Sequence, residues 1–145
     1  MGTNSFSVNS ELKSASKIKV YNNRGHEITI DEPEGAGGTD EGMNPVEITL
    51  ASLAGCLSIT ASFLAKKMKI ELERLSIKIE GEIDEEAMSS ADNFSGFQEV
   101  RYHINFESDS NKEKIEKLYH SIEKYCPVSD TIKNSVPVKG NYQLN

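Results

Sequence analysis

Polar and apolar residues alternate along several stretches of this chain, and each such stretch predicts a strand. Lys17 to Tyr21 alternates, and so does His26 to Ile30, with Asn22-Asn23-Arg24-Gly25 between them as a hairpin turn. The first thirty residues therefore read as strands. Leu72 to Ile83 carries Leu75, Ile77, Ile79 and Ile83 at even spacing and predicts a long strand. Asp84 to Gly96 is polar and reads as a mobile hairpin loop. Phe97 to Phe106 returns with Val100, Tyr102, Ile104 and Phe106 on one face. Val136 to Leu144 is expected to close the chain as a strand, with Pro137 at an edge or at its start.

Elsewhere the period lengthens to that of a helix. Ile48 to Ala65 is the longest uncharged stretch, and Asn44-Pro45-Val46-Glu47 makes a good helix start before it. Asn is a favoured N-cap, Pro suits the first helical position, and Glu three residues on completes a capping-box pattern. This helix should run to about Met68. Small residues four apart on it, Ala51 with Gly55 and Ala54 with Ser58, let another backbone come close. Ser110 is expected to cap a helix from about Asn111 to Tyr125, with Ile115, Leu118, Tyr119 and Ile122 as its apolar stripe. Pro127 can begin a short helix over Val128 to Lys133. The order of elements predicts an α+β fold, with antiparallel sheets around a long central helix. A first sheet of one hairpin is too small to bury a face alone. An intertwined homodimer, each chain completing the other's sheet, would solve this.

The chain has 145 residues, which suits a single domain over 1–145 with a real core. Its net charge of −7 argues against nucleic acid or an anionic membrane as main partner, because both reward a basic face. Ile48 to Ala65 is just long enough to raise a membrane-spanning reading. Its Thr49, Ser52, Ser58, Thr60 and Ser62, and lysines at one end only, favour a buried helix. The glycine-rich loop Asp31 to Met43 is acidic and lacks the Gly-Lys-Ser/Thr of a phosphate cradle. Two cysteines are too few for a secreted disulfide scaffold, and Met1 to Val20 has no signal-peptide pattern. A reducing cytoplasm is the expected compartment.

Those two cysteines carry the candidate chemistry. Cys56 lies inside the apolar helix, and Cys126 opens Cys126-Pro127-Val128-Ser129 at a helix start. The thiolate is the reactive form, and its environment sets how much exists. Alone, Cys56 reads more readily as a small core residue than as a reactive one. No Cys-x-x-Cys or His-x-x-x-His spacing supports a metal site, and no cofactor is implied.

Asp31-Glu32-Pro33, Gly37-Gly38-Thr39-Asp40, Asn44-Pro45-Val46-Glu47 and Leu53-Ala54-Gly55-Cys56, with the later Cys126-Pro127-Val128, resemble the OsmC/Ohr superfamily. This is the osmotically inducible protein C and organic hydroperoxide resistance group, and the likeness runs from about Arg24 to the C-terminus. It implies an intertwined homodimer with a long central helix and two-cysteine peroxidase activity on organic hydroperoxides. On that resemblance Cys56 attacks the peroxide and becomes a sulfenic acid, Cys126 condenses with it, and an external dithiol reduces the disulfide.

Further roles follow from the resemblance. Burial would raise the pKa of a thiol in such a helix, so a cation is expected nearby. The family's characterised peroxidases pair an arginine from the N-terminal strand region with a glutamate. Arg24 holds that position here, although a solvated turn arginine fits it equally, and His26 is an alternative partner. In those peroxidases the glutamate directly follows Asn-Pro, where this chain has Val46. Glu47 comes one residue later and nine before Cys56, about 180° around a regular helix. Its capping role is thus at least as good as a catalytic one, and the chain looks closer to the OsmC-like branch. Leu53, Leu57, Thr60, Phe63 and residues near Cys126, Pro127 among them, are the expected pocket walls. Two rival functions remain: a module binding a small hydrophobic ligand with slow cysteines, and a thiol redox sensor that does not turn over.

Overall fold

The computed structural model describes residues 2–145 and has an α+β architecture. Its strands and helices are β1 (Asn9–Ser14), β2 (Lys17–Tyr21), β3 (Glu27–Ile30), α1 (Pro45–Lys67), β4 (Arg74–Ile83), β5 (Phe97–Glu107), α2 (Lys112–Tyr125) and α3 (Pro127–Lys133). The chain divides into two compact units, one ending at Thr49 and the other spanning Leu50–Asn145.

In the first unit β1, β2 and β3 form an antiparallel meander. The expected hairpin is therefore a three-stranded sheet. β1 escapes pattern reading because five of its six residues, Asn-Ser-Glu-Leu-Lys-Ser, are polar and all are exposed. Register aligns Leu12 with Ile18 and Ile30, and Ser10 with Val20 and Ile28. One face thus carries every strand apolar residue of the meander except Tyr21. The β2–β3 turn closes on Asn22, whose Oδ1 accepts the backbone N–H groups of Arg24 and His26 at 3.0 and 3.1 Å. Gly25 takes φ 87° there, a conformation open to glycine at little cost.

The loop after β3 is organised by Asp31, which is buried. Its carboxylate accepts from Ser16 Oγ (2.7 Å), Thr39 Oγ1 (2.6 Å) and the backbone N–H groups of Glu32, Thr39 and Glu41. The Thr39 and Ser16 hydroxyls, foremost among these donors, hold Asp31 down at about 2. Gly38 is obligatory in this loop, since a Cβ there would lie 1.9 Å from the Glu32 carbonyl oxygen.

The second unit is built on α1. Leu53, Leu57, Ala61, Leu64 and Ala65 recur at helical spacing and form one buried side. They pack with Ile70, Leu118, Ile122 and Cys126, and the inner faces of β4 and β5 close on this cluster through Leu75, Ile77, Ile79, Val100, Tyr102, Ile104 and Phe106. α1 is long and apolar enough to cross a bilayer by length and composition. Here its buried side is occupied by protein. The other side is open, with Ile59 74% and Phe63 69% exposed, and a Cβ added at Gly55 would meet nothing within 4 Å. The helix ends in a left-handed residue, Lys69 at φ 56°, with Ile70 N–H donating back to the Ala65 carbonyl at 2.8 Å.

β4 and β5 pair from Arg74–Glu107 to Ile83–Phe97. Their loop is more ordered than expected at one point, a 3-10 turn over Ala87–Ser89 that buries Ala87. α2 is capped by Asn111 rather than Ser110: Asn111 Oδ1 accepts Lys114 N–H at 2.9 Å. Both neighbours are good caps, and only one can occupy the position. The expected closing strand over Val136–Leu144 is absent. This segment is extended and exposed, with Val138, Tyr142 and Leu144 each about nine-tenths exposed, so its alternation meets no neighbouring strand in the described chain.

Candidate functional site

Pro127 dictates the local structure around Cys126. A proline restricts the residue before it to extended backbone and suits the first position of a helix. α2 therefore stops at Tyr125, α3 starts at Pro127, and Cys126 is the C-cap of one and the N-cap of the other at φ −88°, ψ 107°. Its side chain is fully buried, whereas Cys56 on α1 is half-buried against the same core. Both are free cysteines. Cys56 packs against the cluster that contains Cys126 and is near enough to act on its titration.

Burial pushes the Cys126 thiol up, and Cys56 beside it adds to that push. The backbone N–H groups of Ser129 and Val128 act in the opposite sense. The net direction is upward, so Cys126 rests as the neutral thiol at neutral pH.

An apolar cleft of about 480 Å³ lies along α1, lined by Ile59, Thr60, Phe63, Leu64, Lys67 and Tyr125. Thr60 is one turn after Cys56, and Tyr125 directly precedes Cys126. The Lys124 ammonium stands 5.3 Å from the centre of the Tyr125 ring. Thr60 and Phe63 line this cleft. Leu53 and Leu57 do not line it: both are enclosed in the buried core, one to two turns before the cleft residues on α1. Pro127 is exposed at the start of α3.

The remaining candidates belong to the first unit. Glu47 makes the capping box with Asn44: Asn44 N–H donates to Glu47 Oε2 and Glu47 N–H to Asn44 Oδ1, both at 2.9 Å. Arg24 is exposed in the β2–β3 turn and lines a cleft with Phe6, Val8, Asn22 and Asn23. His26 is exposed there too, its Nδ1 3.3 Å from Asn22 Nδ2. Among the described residues no group of three or more His, Cys, Asp and Glu is placed to hold a metal ion.

Two polar clusters had no signal in the sequence pattern. One is the Asp31 loop. The other joins β5 to α2, where Tyr102 Oη donates to Glu123 Oε1 at 2.8 Å, a partner 21 positions later in the chain. Tyr119, one turn earlier on α2, is close enough to Glu123 for the carboxylate to raise its pKa. Burial works against the charge on Glu123, but the Tyr119 and Tyr102 hydroxyls, with the charges of Lys133 and His120, hold its pKa below the usual carboxylate value. Tyr102 is pushed up, by burial first and by Glu123 second.

An α+β unit with two free thiols meeting between a long helix and a helix–helix joint defines a class of thiol-bearing proteins. The chain belongs to the family described as OsmC-like protein, which it matches over residues 38–141. It is 28% identical over 105 residues to the hydroperoxide reductase of Mycoplasma genitalium, an alignment covering 72% of this chain and 70% of that protein. Its fold is similar to the crystal structure of an OsmC-like protein from Mycoplasma pneumoniae, with a TM-score of 0.78, 22% identity, and coverage of 90% of this chain and 88% of that one. An organic hydroperoxide resistance protein OsmC from Legionella pneumophila shares the fold at a TM-score of 0.67 and 21% identity, over 92% of each chain.

Proposed function

We propose that this chain is a two-cysteine thiol peroxidase that reduces organic hydroperoxides. The observation that carries the reading is that both free cysteines belong to one packed cluster, with Cys56 near enough to act on the titration of the buried Cys126 thiol. Family membership and a relative named hydroperoxide reductase support it.

The Cys56 thiolate attacks the terminal peroxide oxygen. An S–O bond forms, the O–O bond breaks, and the alkoxide leaves and takes up a proton as the alcohol. The Cys126 thiol then attacks the Cys56 sulfenic acid, forming the S–S bond and releasing water. An external dithiol returns both thiols to the reduced state and is itself oxidised to a disulfide. The half-buried Cys56 is the one a substrate reaches, and the buried Cys126 is shielded from direct attack by peroxide. The cleft through Thr60, Phe63 and Tyr125 offers apolar walls for the organic group.

Arg24 is the proposed cation for the Cys56 thiolate, with His26 as the alternative, each supplied within a homodimer. Glu47 is assigned to capping first and to the arginine second. The open stripe of Gly55, Ile59 and Phe63 on α1 supports an intertwined dimer with the long helices at its centre. A reducing cytoplasm supplies the dithiol. A second reading, a module that binds a small hydrophobic ligand, is favoured only by the cleft.

Steady-state consumption of tert-butyl hydroperoxide with a dithiol reductant tests the proposal. Cys56→Ser should abolish it, because a hydroxyl is a poor nucleophile at neutral pH. Cys126→Ser should leave a sulfenic acid on Cys56 that a 1,3-dione probe traps. Unchanged consumption in both variants would sink the peroxidase reading and leave the binding module.

A further inference from the structure

Cys126 is held by a joint one residue long, and three elements converge on the carboxylate next to it. Glu123 lies in the last turn of α2, three positions before Cys126. Tyr102 reaches Glu123 from β5, Tyr119 reaches it from the preceding turn of α2, and the Lys133 charge acts on it from the end of α3. Leu118 and Ile122 press α2 onto the sheet, but such packing is non-directional and tolerates small rotations of the helix. A hydrogen bond to a charged acceptor is directional and shorter-ranged. The Tyr102–Glu123 bond therefore ties α2 to β5 in a defined direction, which apolar packing alone does not supply.

We infer that Tyr102 and Glu123 are positioning residues for the resolving thiol: their hydrogen bond holds the α2–α3 joint so that Cys126 faces Cys56. The inference rests on the peroxidase reading and assigns it an element outside the cysteines. It concerns the second chemical step alone. A disulfide forms only within a narrow range of separation and dihedral angle, so a small rotation of α2 slows condensation. Oxidation of Cys56, on α1, needs no such alignment. A Cys56 sulfenic acid that waits longer meets a second peroxide and becomes the sulfinic acid, the peroxide leaving as alcohol.

The test is the partition of Cys56 between disulfide and sulfinic acid, read by mass spectrometry of intact protein after graded tert-butyl hydroperoxide. Tyr102→Phe keeps the ring and removes only the donor, and Glu123→Ala removes the acceptor. Each should raise the sulfinic-to-disulfide ratio about three- to tenfold, the range one such hydrogen bond supports, with the rate of first oxidation unchanged. Glu123→Gln keeps an acceptor and should restore the ratio toward that of the parent. The double variant should be no worse than Glu123→Ala alone, since the bond that Tyr102→Phe removes is already lost there. A merely structural role would lower Tm without moving the ratio. Either single variant suffices if the other fails to fold. Parent-like ratios in Tyr102→Phe or Glu123→Ala would overturn the inference while leaving the peroxidase intact. A parent protein that forms no Cys56–Cys126 disulfide would overturn the peroxidase reading and this one with it.

Discussion

In the second unit the largest fully enclosed side chains are Leu57, Leu118, Ile122 and Cys126; among the described residues of the first unit only Asp31 is buried. One unit is ordered by apolar volume around α1. The other is ordered by a carboxylate that gathers a strand end, a serine and a glycine-rich loop, while the apolar face of its meander stays half open. Order of the first kind responds to the size of a side chain and hardly to pH. Order of the second kind responds to protonation, because the same five contacts lose their acceptor charge together.

The largest expected effect breaks the apolar side of this contrast. Leu57→Ala should cost about 2–5 kcal/mol, since it opens a cavity in a fully enclosed site. Chemical denaturation followed by circular dichroism checks it. The equivalent truncation of Leu12, 65% exposed on β1, should stay within about 0.5 kcal/mol. Equal costs at the two sites would erase the distinction between the units.

Acid should act on the other side. Asp31 titrates at about 2 in the folded chain against an ordinary 3.8, so the unfolded chain takes up this proton first as pH falls. The stabilisation from Asp31 is complete above the ordinary value, shrinks between the two, and is gone below about pH 2. Protection factors of the Thr39 and Glu41 amides, normalised for intrinsic exchange, should fall across that window. Asp31→Asn should flatten the fall, and the Leu57 region should show no matching step. The smallest effect is expected on the outer face of β4–β5, where Arg101 pairs with Glu82 and Glu99 in the open. Arg101→Ala should leave stability almost unchanged in denaturation, and added salt should shrink the difference further.

Legibility in the sequence followed the same division. α1, β4, β5, α2 and α3 were readable to within about two residues, because each buries a periodic face or carries a proline or cap at its end. β1 was not readable as a separate strand, since its only apolar residue is Leu12 and its pairing is by backbone. The tail failed for the opposite reason: Val136, Val138, Tyr142 and Leu144 alternate well, but a strand needs a neighbour as well as a pattern. At the candidate site, both cysteines and the wall positions Thr60 and Phe63 could be named from spacing and resemblance. Leu53 and Leu57 could not be told from them, because an all-apolar helix does not announce which side is buried. The Tyr102–Glu123 bond was out of reach, since nothing local links a strand tyrosine to a helical glutamate 21 positions later.

The single-residue joint at Cys126 also sets a lever arm. α3 has seven residues and so extends about 10 Å from its pivot. A swing of the helix about that pivot displaces Lys133 by ångströms while the sulfur at the fulcrum barely travels. The chain thus places its buried thiol where angular motion is converted into the least linear motion, and the tip of α3 where it is converted into the most.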